Sequence, residues 1–202
     1  MKRATVLAAA LVTLAAPARA QPGNLSVGQA VSNVQNFYDH VTTYNATFRQ
    51  HYVMRLLNTS MDSDGAVTFA KPGKMNFSYF HPPGNRVIVN GQNVWVHQAS
   101  TNQSFAGQAQ VPAALSFLTG AGHFSSTFHF VFVPALAFPG GYVLEGTPVT
   151  PTSQMTKALF YVDAQTSQIR RVTLVDAQGN HNQFDFTNVT INTAVSPRSF
   201  QP

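Results

Sequence analysis

From residue 25 onward, apolar residues recur three or four apart: Val27, Ala30, Val31, Val34, Phe37, Tyr38 and Val41. This spacing predicts an amphipathic helix over Leu25 to Tyr44 that packs one face onto another layer. The period then changes to two. Phe48, Gln50, Tyr52, Met54 and Leu56 alternate with Arg49, His51, Val53, Arg55 and Leu57, as in a half-buried strand. Asp62-Ser63-Asp64-Gly65 reads as a loop and Val67 to Ala70 as a second strand. Pro72-Gly73 turns the chain into a third, in which Met75, Phe77 and Tyr79 alternate with Asn76, Ser78 and Phe80. Pro82-Pro83-Gly84-Asn85 turns it again. Asn90-Gly91, flanked by Val87 to Val89 and Val94 to Val96, is the strongest hairpin signal in the chain. The pattern to this point is an antiparallel meander.

The middle of the chain differs. Val111 to Leu118, with a Pro near its start and Gly120 and Gly122 after it, suits a short helix of one or two turns. Between His123 and Phe138, Phe128, Phe130 and Phe132 share one face of a strand, and Val131 and Val133 make the other face apolar as well. The last third returns to strands at Gly141 to Glu145, Ala158 to Asp163, Gln168 to Val175 and Asn182 to Phe186, with Asp176 to Asn180 as a hairpin turn. No linker, repeat or low-complexity segment interrupts the pattern, so residues 21–202 are expected to form a single domain. The fold class is mainly β.

The first twenty residues stand apart. Lys2 and Arg3 precede an apolar run from Ala4 to Ala16, and Ala18-Arg19-Ala20 offers small residues at a cleavage site, so residues 1–20 read as a secretory signal peptide. The run is too short and Ala-rich to span a bilayer stably. Removal of the segment changes the charge. Of twelve Lys/Arg, Lys2, Arg3 and Arg19 fall within it, leaving nine against seven Asp/Glu. So weak a balance, with no basic cluster, gives no footprint for nucleic acid or for a polybasic membrane anchor. The sequence has no cysteine, so an exported form has no disulfide framework and no residue to carry a lipid anchor. The expectation is a soluble protein free in the periplasm or outside, monomeric and without stable membrane insertion, stabilised by packing of its sixteen Phe, six Tyr and one Trp.

Catalytic constellations are scarce. There is no G-x-S-x-G elbow, H-E-x-x-H, phosphate-cradling loop or cysteine nucleophile. The seven histidines do not pair at helical metal-ligand spacing, and only His123 and His129 lie near each other, so surface or strand-edge histidines are expected and no metal or cofactor. Glu145 is the only glutamate, and the six Asp fall mostly in loop-like stretches, which leaves little for paired-carboxylate chemistry. A binding protein is favoured over an enzyme. The apolar sheet exceeds what a small core needs, and a sheet that curls without closing, with helices over its concave face, forms a cavity lined by alternating side chains. The same residues serve equally well as ordinary core.

Several stretches belong together: the first helix, Ala46-Thr47-Phe48-Arg49-Gln50, Phe69 to Tyr79, Pro82 or Pro83, and Val89-Asn90-Gly91-Gln92-Asn93-Val94-Trp95-Val96. Tyr142 to Pro148 follow, then Ile169 to Asp176, Gly179 and Phe184 to Val189. In this order and spacing they resemble a known family, the LolA-like periplasmic lipoprotein carriers. The resemblance implies an unclosed antiparallel β-barrel capped by helices, whose cavity shelters the acyl chains of lipoproteins. It also implies partners: acylated lipoproteins as cargo, an inner-membrane ABC transporter that supplies them, and an outer-membrane receptor that takes them. On this reading Phe117 and Leu118 are lid residues, and Met75, Phe77, Phe128, Phe130 and Phe132 line the cavity. Lys71 stands where the family has an arginine that latches the lid helices, and a lysine lacks the planar fork of that residue. Asn76 likewise replaces a family arginine, and the chain stops at Phe200-Gln201-Pro202. Two other classes share the fold: a lipid- or protein-sensing module, and a small enzyme. Failure to release cargo marks the first and turnover of a hydrophobic substrate the second.

Overall fold

The computed structural model describes residues 25–108, 115, 118–120, 122–150 and 152–202. The signal peptide expected at 1–20, Phe117 and most of the short helix expected over Val111 to Leu118 lie outside them. Helix α1 (Val27–Asp39) opens with a capping box in which Ser26 and Gln29 exchange side-chain and backbone hydrogen bonds. It buries Ala30, Val31, Val34 and Tyr38. The helix stops five residues short of the expected Tyr44. The reason is tertiary: the Asn192 side chain accepts from the Thr42 N–H and donates to the His40 carbonyl. The backbone is thereby released to start a strand at Thr43. Val41 and Tyr44 remain buried, but not as part of a helix.

Among the described residues, eleven strands form one antiparallel sheet. In chain order they are β1 (Thr43–Met54), β2 (Thr59–Ala70), β3 (Lys74–His81), β4 (Arg86–Asn90), β5 (Asn93–Gln98), β6 (Gln103–Gln108), β7 (Phe128–Phe132), β8 (Gly141–Pro148), β9 (Lys157–Asp163), β10 (Ile169–Val175) and β11 (His181–Ile191). Helix α2 (Phe124–Thr127) is a single turn before β7. The spatial order is β6-β5-β4-β3-β2-β1-β11-β10-β9-β8-β7. Two meanders are thus joined through their first and last strands, and β6 and β7, neighbours in sequence, form the two free edges. The sheet does not close.

The expected loop at Asp62 to Gly65 is instead part of β2, paired with Phe48 to His51 of β1. Local turn propensity lost to the ladder. Gly65 is required there by close approach, because a Cβ at this position would overlap the Ser78 carbonyl oxygen and lie 2.8 Å from the Phe48 ring. The reversal comes earlier, through a 3-10 turn at Arg55–Leu57 and Asn58 in the left-handed region, leaving Leu56 and Leu57 at an exposed hairpin tip. Asn90-Gly91 makes the expected β4–β5 hairpin, with Gly91 at φ 64°.

Strand alternation divides the sheet into two faces. One carries Phe48, Phe69, Phe77, Phe160, Phe184 and Phe186 into a continuous core with α1 and α2. On the opposite face, Phe200 of a C-terminal 3-10 turn (Pro197–Phe200) packs with Ala70 and Ile88. Asn76 helps to hold that turn, donating to the Ser199 carbonyl at 2.8 Å, with Arg86 donating to the same oxygen at 3.2 Å.

Candidate ligand-binding site

The connection from β6 to β7 has to travel from one sheet edge to the other. Its described residues Leu115, Leu118 and Thr119 are helical in backbone and buried, and both leucines join the concave core. These described residues therefore cover part of the concave face beside α1. Beneath them lies a pocket of about 190 Å³ lined by Met75, Phe77, Tyr79, Val87, Val89, Val94, Leu115, Leu174, Asn182 and Phe184. Its walls come from β3, β4 and β5 on one side and β10 and β11 on the other.

Of the residues singled out from sequence, Met75 and Phe77 line this pocket and Leu118 is buried in the cover. Phe128, Phe130 and Phe132 lie elsewhere. Phe128 and Phe130 pack with Phe124 and Phe160, the Phe124–Phe130 centroids 4.5 Å apart, while Phe132 meets Tyr142 edge-on at 5.5 Å. Tyr79, Val87, Val89, Val94, Leu174, Asn182 and Phe184 were not singled out as lining. The period-two signal was present in each strand, but it does not say which strands meet across the concave face.

Lys71 sits in the β2–β3 turn, where two covering elements meet. Its Nζ donates to the Tyr38 carbonyl in the last turn of α1 at 2.6 Å. Two residues on, the Gly73 N–H donates to the Thr119 carbonyl at 2.7 Å. The lysine stem lies against Gly120, where an added Cβ would come within 3.1 Å of it. One turn thus holds both α1 and the β6–β7 connection. A cation at a helix C-terminus is favourably placed relative to the unpaired carbonyls. Burial lowers the Lys71 pKa from its ordinary value, with the Asp39 carboxylate opposing the shift. Helix α1 is pinned a second time by the Tyr38 hydroxyl, which accepts from the Ile169 N–H of β10 at 3.1 Å.

A larger depression of about 740 Å³ lies on the opposite face of the sheet, lined by Arg49, His51, Asp62, Asp64, His81 and Asp185 among others. His51 and His81 each place Nδ1 2.7 Å from a carboxylate oxygen, of Asp62 and Asp64 respectively. Its lining is charged and polar, unsuited to an apolar ligand, so the concave pocket is the better candidate despite its smaller volume. Among the described residues, no three His, Cys, Asp or Glu side chains group as metal ligands would. No helix among them is long and apolar enough to cross a membrane.

These features define a class: an unclosed antiparallel half-barrel with an apolar concave face under a helical cover. Comparison with known proteins agrees. Residues 39–202 match the family model described as "Outer membrane lipoprotein carrier protein LolA". The chain belongs to that family. Among relatives, a protein of Dechloromonas aromatica is 23% identical over 175 residues, covering 85% of this chain and 82% of its own length. One of Ralstonia nicotianae is 26% identical over 212 residues, covering 100% and 93%. Both are named outer-membrane lipoprotein carrier protein. A crystal structure of a conserved protein from Thermus thermophilus superposes with a TM-score of 0.54 at 13% identity, over 87% of this chain and 92% of that one, which speaks for the fold alone.

Proposed function

We propose that this protein is a soluble periplasmic carrier that shelters the acyl chains of lipoproteins in its concave pocket. It functions after removal of residues 1–20, as a monomer, taking cargo from an inner-membrane ABC transporter and passing it to an outer-membrane receptor. The observation that carries the reading is the apolar pocket under a cover clasped by the Lys71 turn, in a chain of this family.

Energetics give the cover a role. An acyl chain in a bilayer is held by about 0.8 kcal/mol per methylene, and a carrier that matched this would never release its cargo. The pocket, at about 190 Å³, is smaller than the roughly 300–1,000 Å³ typical of pockets for drug-sized ligands. Cargo therefore enters by displacing the cover. Re-exposing Leu115 and Leu118, both buried, costs up to about 1.5–3 kcal/mol each. That cost is subtracted from cargo affinity, which permits onward transfer without an energy source at the carrier.

The test is recovery of a triacylated lipoprotein from membranes by the purified mature protein, beside the same lipoprotein with its acylated cysteine replaced. Recovery of only the acylated form, followed by its release to acceptor vesicles bearing the receptor, is expected. Equal recovery of both forms, or none, would overturn the proposal; binding without release would point to a sensing module.

A further inference from the structure

The pocket is not apolar along its whole length. On the concave face, β1 carries Phe48 and then Gln50, β3 carries Phe77 and then Tyr79, and β11 carries Phe184 beside Asn182. At the same end of three strands, phenylalanine gives way to a polar residue. The three polar side chains form a ladder across the sheet. Tyr79 Oη donates to Gln50 Oε1 at 3.0 Å, and Gln50 Nε2 donates to Asn182 Oδ1 at 2.9 Å. Tyr79 and Asn182 also line the pocket. The Tyr79 ring continues the apolar wall, edge-on to Phe48 at 5.2 Å, while its hydroxyl belongs to the ladder. Burial raises its pKa above that of an ordinary phenol, so the hydroxyl stays a neutral donor.

The ladder's own bonds use the Tyr79 proton, one Gln50 N–H and the two amide oxygens. The Asn182 amide N–H groups are left as donors at the pocket wall, with the Tyr79 hydroxyl oxygen as an acceptor, while Gln50, which does not line the pocket, ties the two together. No described residue lining the pocket is charged, and the sequence from 109 to 121 contributes no charge either. A ligand with a free carboxylate would therefore enter without a counter-ion, which is costly. Neutral carbonyl oxygens match the donors.

Resting on the carrier reading above, we infer that Tyr79 and Asn182, held in place by Gln50 between them, form the subsite for the polar junction of the acyl ligand, the ester or amide carbonyls where its chains meet the headgroup. The apolar walls then take the chain, and the ladder fixes which end of it faces out. The ligand class is an ester- or amide-linked acyl group in preference to a free fatty acid or a plain hydrocarbon.

The experiment measures displacement of N-phenyl-1-naphthylamine, an apolar probe, by N-decanoylglycinamide, methyl decanoate and decanoate. Wild type is compared with Tyr79→Phe and Asn182→Leu, and thermal unfolding confirms that each is folded. Wild type is expected to bind the amide and ester more tightly than decanoate. In each variant the affinity for the amide, taken relative to that for the naphthylamine, should fall by about threefold to tenfold, the scale of one hydrogen bond. Equal losses for all ligands, or amide binding unchanged in both variants, would overturn the subsite. Wild type binding neither the naphthylamine nor any of the decanoyl ligands would overturn the carrier reading itself, whereas amide and ester binding indifferent to the ladder overturns only this inference. If Tyr79→Phe does not fold, Asn182→Leu alone decides.

Discussion

Replacing Lys71 with leucine tests whether the β2–β3 turn holds the cover shut. The substitution keeps much of the stem that packs on Gly120 but removes the ammonium that donates to the Tyr38 carbonyl. That carbonyl also accepts from the His40 and Val41 backbone N–H groups, so the variant leaves no orphaned acceptor and incurs no extra burial penalty. What is lost is the hydrogen bond itself, which the amine makes whether charged or neutral and which is worth about 0.5–1.5 kcal/mol. With Lys71 half-buried, about 1 kcal/mol is expected, or roughly a fivefold shift toward the open form. Uptake of an apolar fluorescent probe by the empty protein at low salt should rise by that factor in Lys71→Leu. It should fall below wild type in Lys71→Arg, whose guanidinium bridges two acceptors. The pH dependence has a definite sign. Burial, partly offset by Asp39, lowers the Lys71 pKa in the closed form, so the closed form binds this proton less tightly than an open form with Lys71 in solvent. Raising the pH from the lowered value toward 10.5 therefore favours closure. Wild-type uptake should decline over that window while Lys71→Leu shows no such decline. Three proteins with the same uptake at every pH would refute the reasoning and leave the cover held by apolar packing alone.

Asp163 organises the β9–β10 turn, its carboxylate accepting from the backbone N–H groups of Gln165 and Thr166, the Thr166 hydroxyl and Arg170. Burial alone would raise its pKa, but those hydrogen bonds hold it below 3.8. Asp163→Ala should cost about 1–2 kcal/mol in urea unfolding at neutral pH. The contribution is present above pH 3.8 and lost as pH falls through the lowered value, so wild type and variant should converge in strong acid; a constant difference would contradict the assignment. Phe160, fully buried between Phe124 and Phe128, lies in the half of the core away from the pocket. Phe160→Ala should lose about 3–5 kcal/mol of stability while its folded fraction binds the apolar probe within about twofold of wild type, and a selective loss of binding would place the ligand against β7 to β9 instead.

Much of the fold was legible in the sequence because strand alternation and turn chemistry are local. The Asn90-Gly91 hairpin, the Met75-Phe77-Tyr79 alternation and the apolar face of α1 each follow from residues close in the chain. Where local signals competed with long-range pairing, pairing won. The Asp-Ser-Asp-Gly stretch became strand because β1 supplied a ladder for it, and α1 ended at Asp39 because Asn192, some 150 positions away, satisfied the backbone just beyond it. The candidate site was harder to read. Composition shows that apolar surface is plentiful, but which of it bounds a pocket depends on strand order, and the order of this sheet is set by the pairing of β1 with β11. That pairing brings Asn182 alongside Gln50, while Phe128 and Phe130 stay packed on Phe160 and Leu115 and Leu118 of the β6–β7 connection are buried in the concave core. The period of each element and the residues on each of its faces can be read along the chain. Which faces meet is settled by the fold, because contacts between residues distant in the chain leave no mark on the local pattern.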